Sequence, residues 1–478
     1  MTLPAVTTSI GQSLTSTGLP SSTGTAFAVG LAERGPTNEP IPLISMSDYA
    51  RYLGSRQSWS ANEYDTLDVA FDGGRLAQAY FVRCVGPAAK SASGKLKDDE
   101  DAETLLVTAT SPGAWANTVK VEVVVGTGEK FKLKVYEGSD LKESSPELAD
   151  TETAVAWAAE SSTRITLKDL GGDTPKTGKT LTLSEGTDDR ENVDAKVIAK
   201  GLALFTADLG GGQVCAPGNT AEAVQLAVIA HCEEMERTPI LAAVDDEDHS
   251  EVVAQALALS SASGAHQGGV FDPWEIAKGI APGTFRTVPP EGRVIGQIAA
   301  VDAAIGNASQ PAAGPNGKAR SGGLIVGLAR SRSPEEWEAL NDAGVNVSIM
   351  EDGLPTTYGW RTLADPVTDR RWLPLNVARV MTQIAHEAEE AMKTMMFPRL
   401  DKQGKTVARA ETKIRSEVLK PLYDGEALFG ETEEEAYSVT VTQEINPSDG
   451  SVGKLTAQIG AAPVEFAEQI NITVVATN

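Results

Sequence analysis

The sequence predicts a multidomain chain of mixed α/β and α+β class, with a β-sandwich inserted into an α/β core. Three patterns carry that expectation. From about residue 188 to 352, short apolar runs alternate with helical stretches, as in a covered, mostly parallel sheet. Between 89 and 187 the repeat is two residues, in VKVEVVV and FKLKVY, the mark of half-buried antiparallel strands. After 353, a long helical pattern precedes three alternating segments, YSVTVTQEI, GKLTAQIG and QINITVVAT.

Taken in order, residues 1–24 are rich in Ser, Thr and Gly, with apolar residues only at intervals (Val6, Ile10, Leu14, Leu19). Such a segment cannot bury enough surface to fold alone. It is either a disordered tail or an arm that orders against a neighbour. Residues 25–88 read as the N-terminal part of the core. They hold a strand at TAFAVGLAE, a short helix from Asp48 to Leu53, and a helical pattern over 64–77 broken at Gly73-Gly74. A buried strand follows at QAYFVRCV. The polar run KSASGKLKDDEDAE at 90–103 reads as a solvated boundary. Strands at 118–126, 130–138, 163–170 and 180–186 then build the inserted sandwich.

In the 188–352 unit, VIAKGLALF is helical and QVCAP is a short strand. NTAEAVQLAVIAHCEEMER is a helix with Asn219 or Thr220 as its cap. PILAAVD and VNVSIME read as further strands, and SEVVAQALALSSA as a helix. GGLIVGLA is another apolar run. SRSPEEWEALNDAG carries Ser333 as cap, Pro334 at the first helical position and Gly344 as the stop. In the 353–468 unit, the helix at 376–397 places Val377, Val380, Ile384, Ala388 and Met392 on one face. Arg379, Glu387, Glu390 and Lys393 lie away from it. A shorter helix at about 407–420 ends near Pro421. Residues 469–478 form a C-terminal arm or strand.

Composition narrows the function. The net charge of −25 argues against nucleic acid as a general partner. No apolar run approaches the roughly 20 residues of a membrane helix, and the N-terminus lacks the basic start of a signal peptide. Cys84, Cys215 and Cys232 have no metal-ligand spacing, and an odd number cannot pair fully within one chain. They are either buried free thiols, or Cys84 and Cys232 link one copy to another.

Chemistry-bearing patterns are weak. No GxSxG occurs, and Ser263-Gly264 near His266 is the nearest approach to a nucleophile beside a base. His231 and His386 fall on helices. Asp245 to His249 form an acidic cluster after an apolar strand, where α/β sheets bind ligands, but a solvated loop is the simpler reading. Gly210-Gly211-Gly212 lacks the spacing of a phosphate loop and serves turns instead. One local anomaly is basic. Residues 393–420 hold eight Lys or Arg against three acids, a local charge of +5. This is either a mixed solvated surface or a face for an acidic partner.

An ordered series of motifs carries a resemblance. It runs through FAVGLAERGP, SPGAWANTVKVEV, VCAPGNTAEAVQLAVIAHCEE, DPWEIA, VPPEGRVIGQIAAVD, QPAAGP, LNDAGVN and GWRTL to IGAAPVEFAEQINITVV. The series resembles the contractile tail sheath family of bacteriophages, R-type pyocins and related injection systems. The resemblance implies a core of subtilisin-like shape without protease activity, and extended terminal arms. It implies a structural, non-enzymatic subunit without cofactors, stacked as hexameric rings in a helical homopolymer around an inner tail tube protein. Baseplate and tail terminator proteins would be the further partners. The place would be a virion tail or tail-like particle, assembled in the bacterial host cytoplasm. There would be no membrane insertion and no direct nucleic-acid contact. Val6, Ile10, Leu14, Ile472, Val474 and Val475 are then the expected arm residues between subunits. Arg399, Lys402, Lys405, Arg409 and Lys413 are expected to face the tube. A capsid-like or surface-layer structural protein, or a subtilisin-like hydrolase, are the alternatives.

Overall fold

A computed structural model of the protein describes residues 22–245, 248–396, 399–445 and 453–467. The chain has mixed α/β architecture with several sheets, and it forms two compact units. One contains the described residues up to Ala28, Asp65–Ala79 and those from Phe205 onward. The other contains Val29–Tyr64 and Tyr80–Leu204.

The first unit is organised by a parallel sheet. Ala26–Gly30, Gln213–Cys215, Thr238–Ala242, Gly269–Asp272 and Val345–Glu351 lie side by side in that order, all parallel. Leu354–Thr357 closes the edge as an antiparallel hairpin partner. Every residue of the first four strands is buried. That is why they read as unbroken apolar runs and not as alternation. Gly212 opens one of them at φ 141°, where a Cβ would sit 2.1 Å from the Thr25 carbonyl oxygen. The run GGLIVGLA behaves differently. Its strand, Ile325–Leu328, joins a separate antiparallel sheet on Glu275–Lys278, with Phe285–Val288 on the other edge. A short apolar run states burial but not which sheet supplies it.

Two helix starts follow local chemistry, and a third departs from the expected cap. Ser333 and Glu336 form a capping box on Pro334–Asp342, and Gly344 takes φ 80° just after it. Asp248 caps His249–Ser260. The helix expected to be capped by Asn219 or Thr220 instead begins at Glu222, with Ala221 in the cap position and no side-chain bond there. Asn219 spends its side-chain oxygen on the Ala221 amide at 3.2 Å, one step upstream of a cap.

Helix Glu291–Ile305 is buried over most of its length. It crosses the Asp65–Ala70 part of a neighbouring helix on two glycines. A Cβ on Gly292 would lie 2.4 Å from the Thr66 carbonyl oxygen, and one on Gly296 would lie 2.7 Å from that of Ala70. The spacing of four residues puts both glycines on one helix face, so backbone meets backbone there.

The C-terminal part of this unit has its own core, including Val380, Ile384, Ile414, Val418, Leu422, Tyr437, Val439 and Val441. The long helix runs Leu375–Lys393 and buries Val377, Val380, Ile384 and Ala388 as expected. Arg379 departs from expectation: it is buried, because Asp302 and the Ala308 carbonyl receive its guanidinium. Pro421 does not end the next helix. Lys405–Ile414 passes through a π-turn at Arg415–Leu419 into Lys420–Asp424. Pro421 therefore stands in the first turn of a new segment, where its missing N–H matters least. Tyr437–Glu444 and Lys454–Ala461 close the unit as a two-stranded antiparallel hairpin, with Val441 opposite Ala457. The expected third strand lies outside the described residues.

In the second unit, two antiparallel sheets face each other. One is ordered Lys179–Thr182, Val119–Val125, Phe131–Glu137, Asp140–Ser144; the other is Ser93–Lys97, Glu103–Ala109, Ile165–Asp169. Leu105, Val107, Val121, Val123, Leu133, Val135 and Ile165 meet between them. Helix Thr151–Ser161 also belongs here, seated on Ala154 and Ala158. The polar run at 90–103 corrects the expectation of a purely solvated boundary. Leu96 is buried and pulls Ser93–Lys97 into the sheet, while Lys95 and Lys97 face out. Asp98 then folds the turn by accepting the Glu100 and Ala102 amides, both at 2.9 Å.

The glycine crossing is open to a direct test. Gly296→Val should destabilise the protein by about 1–3 kcal/mol or more, since the added methyls meet backbone and not a movable side chain. Urea unfolding of the variant against wild type measures it, and an unchanged midpoint would refute the close approach.

Candidate functional site

The ends of the parallel strands, where α/β folds place chemistry, are occupied by structural contacts. Asp245 pairs with Arg330, Asp248 holds the Ser250 amide at 2.9 Å, and His249 stands 3.4 Å from Glu336. Asp246 and Glu247 lie outside the described residues. The Ser263 hydroxyl donates to Glu233 at 2.5 Å, and the His266 ring nitrogen faces the Ser263 backbone carbonyl at 2.9 Å. Ser263 and His266 are therefore not arranged as nucleophile and base. His231 is buried against Arg237, and burial lowers its pKa to about 3, too low for a general base near neutrality. Among the described residues, no group of three His, Cys, Asp or Glu side chains is placed to hold a metal. No helix there is long and apolar enough to cross a membrane.

What sequence reading missed is a set of enclosed charges. Arg83, Arg237, Arg293 and Arg379 are the largest of the fully buried side chains. Arg293 holds Glu275, the Gly317 carbonyl at 2.9 Å and the Ser348 hydroxyl at 2.8 Å. Arg332 grips Asp272 with two bonds of 2.8 and 3.0 Å, each side chain 1% exposed. One signal was present. Asn376, Arg379, Gln383 and His386 recur every three or four residues on the long helix, a polar stripe beside the apolar one. It lies along the body of the unit, where Gln383 accepts the Ala308 amide and Asn376 donates to the Val464 carbonyl, both at 2.9 Å. Glu291 has no such cationic partner described. Burial pushes its carboxyl up to about 7, although the Gly218 amide donates to it at 3.0 Å.

The basic anomaly resolves into two kinds of residue. Lys393 pairs with Glu389 and Glu390, Lys413 with Glu417, and Lys420 with Asp424 and Glu433. Arg415 sits over the Tyr437 ring. Arg399, Lys402, Lys405 and Arg409 are exposed and have no ion-pair partner among the described residues. Asp401 organises their loop by accepting the Gln403, Lys405 and Thr406 amides at 2.9, 3.1 and 2.9 Å. Those bonds, the Thr406 one foremost, hold its carboxyl down at about 2. Lys405, Arg409 and Lys413 follow at four-residue steps, while Ala410 and Ile414 are buried on the other side. The result is a basic ridge on the solvent side of Lys405–Ile414. The expected arm residues Val6, Ile10, Leu14, Ile472, Val474 and Val475 lie outside the described residues.

Cys84, Cys215 and Cys232 are free and buried. Cys232 is fully enclosed and Cys84 is 5% exposed. Burial pushes the Cys84 thiol up to about 12 and the Cys232 thiol further in the same direction. A thiolate is the species that forms disulfides, so both thiols are slow to link.

Two measurements follow. Non-reducing electrophoresis of the purified protein under thiol-blocking conditions should give one monomer band; a ladder that collapses with reductant would show Cys84 or Cys232 linking copies. For Glu291, a folded-state pKa above the unfolded one means that its stabilising contribution is complete below about pH 4.5. That contribution is lost as pH rises through about 7. Glu291→Gln should therefore stabilise the protein at pH 8, by on the order of 3 kcal/mol, and change little at pH 4.5. Equal effects at both pH values would show that Glu291 stays charged when buried.

No protein-family model matches the sequence, and no curated protein matches it. Solved structures do match its fold. The sheath tail protein from Desulfitobacterium hafniense is 13% identical with a TM-score of 0.60, over 94% of this chain and 98% of that one. The sheath tail protein from Listeria innocua is 13% identical with a TM-score of 0.60, over 93% and 96%. The helical sheath of the anti-feeding prophage, in its contracted state, is 16% identical with a TM-score of 0.52, over 99% of each chain. Over nearly its whole length, this chain has the fold of the contractile tail sheath proteins.

Proposed function

We propose that this protein is the structural subunit of a contractile tail sheath. It polymerises as hexameric rings around an inner tube and contracts to drive the tube through a cell envelope. The observation that carries this reading is the length of the fold match. It covers 99% of this chain and 99% of a sheath subunit in a contracted helical assembly. A match confined to one α/β unit would have left many functions open. In this reading, 188–352 takes the place of the subtilisin-like-shaped core, 25–88 completes it, 89–187 is the insertion and 353–468 is the C-terminal sheath domain. The particle is a phage tail or tail-like device assembled in a bacterial cytoplasm, with baseplate and terminator proteins as its end partners.

The physics is that of a bistable polymer. Energy is stored as a difference between two sets of subunit interfaces, and the subunits themselves move as bodies. Segments 1–24 and 469–478 keep copies connected by adding strands to a neighbour's sheet. The hairpin Tyr437–Glu444 with Lys454–Ala461 suits that role, since it has no third strand among the described residues. The ridge of Arg399, Lys402, Lys405, Arg409 and Lys413 faces the tube. A sheath must leave its tube on firing, so sparse charged contacts suit it better than a broad apolar one.

Electron microscopy of the purified full chain tests the assignment: it should show hollow tubes, and closed shells or flat lattices would overturn it. Deleting residues 1–20 or 470–478 should leave a folded protein that no longer polymerises. Charge reversal at Lys402, Lys405 and Arg409 should impair assembly around tubes and spare tube-free polymer. Tubes that form without either arm, or loading that survives the reversal, would refute those two roles separately.

A further inference from the structure

We propose that the loop from Ala364 to Arg371 is a docking element that seats on the acidic surface of a second copy of this chain. Val367 is its apolar tip, and Arg370 and Arg371 are its charged contacts. The proposal rests on the reading of the protein as self-assembling, and it places one contact on the folded body, apart from the arms and the basic ridge.

The loop is built to hold a shape while covering nothing. The Asp365 carboxylate accepts the Val367 amide at 2.7 Å and the Thr368 amide at 2.9 Å. The Thr368 bond, then the Val367 bond, hold that carboxyl below the usual range. The Asp369 amide returns to the Asp365 carbonyl at 2.9 Å. The base is fastened on both sides. The Thr362 amide and hydroxyl donate to the Leu373 and Trp372 carbonyls at 2.8 and 2.6 Å. The Trp372 ring stands edge-on to His266, with centroids 4.9 Å apart.

This ordered frame carries Val367 at 86% exposure, the highest among the large apolar side chains described. Arg370 and Arg371 are exposed beside it, with no ion-pair partner among the described residues. An ordered loop has already met the entropy cost that docking would otherwise impose. An apolar tip with adjacent arginines is the composition of an interface anchor, since Arg is enriched where binding energy concentrates. Charge selects the partner. The chain has 66 acidic against 41 basic residues, so a second copy offers the sign that two unpaired arginines need.

The test uses the full chain with Arg370→Glu and Arg371→Glu together, and Val367→Ser separately. Assembly is followed by sedimentation and electron microscopy, and folding by thermal melting. Wild type should assemble. The double variant should need about tenfold more protein to do so at low salt, with its melting unchanged. The gap should narrow at high salt as like-charge repulsion is screened. Val367→Ser should raise the required concentration with little salt dependence. A double variant that assembles at the wild-type concentration overturns this contact and leaves the self-assembly reading intact. Wild type that stays monomeric at every concentration overturns that reading and the contact with it.

Discussion

The fold depends on arginines enclosed where a core would ordinarily hold leucine or phenylalanine. Arg237 shows the logic. Its guanidinium donates to the carbonyls of Phe205, Thr206 and Gly210 at 2.6, 2.9 and 2.9 Å, and its face lies 3.9 Å from the Phe27 ring centre. One side chain thus ties the 205–210 segment to the first strand of the parallel sheet. Arg293 does the same for Glu275, Gly317 and Ser348, and Arg83 for Ala32, Gly35 and Pro112. Such groups add little net stability, because desolvation offsets most of the attraction. Their effect is on alternatives. Any other packing leaves a buried charge without partners, at about 3–5 kcal/mol each. Loops that an apolar core would leave adaptable are held in one arrangement.

In the proposed sheath, that constraint suits a subunit whose work is done by moving against its neighbours. A body that deformed under load would dissipate in its own interior the difference between two interface states. The first unit holds another rigid device. At Gly292 and Gly296, helix Glu291–Ile305 meets backbone directly, with no side chain between to repack. Charge is then divided between inside and outside by pairing. Lys413 and Lys420 are neutralised within the chain, whereas Arg399, Lys402, Lys405 and Arg409 are left to solvent.

The sheet and sandwich were legible in the sequence because burial there is periodic. PILAAVD is apolar throughout because its strand is covered on both faces, and VKVEVVV alternates because its sheet is covered on one. Three features were not legible, each for a physical reason. Ser93–Lys97 hides in a charge run because one buried leucine is enough to seat a short strand. Arg379 was placed facing outward because its acceptor, Asp302, is 77 residues away in sequence, and local patterning carries no long-range pairing. Pro421 read as a terminus because a π-turn, which re-phases the helix ahead of it, leaves no compositional mark. The basic ridge was visible as a count, but only the structure separates its free members from its paired ones.

The same distinction orders the whole molecule. Inside, Arg83, Arg237 and Arg293 are each held at short range by several partners at once, and the loss of any one is expensive. Outside, Arg399, Lys402 and Lys405 and the arginines of the Ala364–Arg371 loop present single charges without ion-pair partners among the described residues, on loops held by backbone bonds to Asp401 and Asp365. Contacts made from such groups are individually weak and sensitive to salt, so they can be exchanged without unfolding anything. A polymer that, as proposed for this chain, must hold one set of neighbours and then take another needs both: bodies whose interior has a single solution, and surfaces whose contacts have more than one.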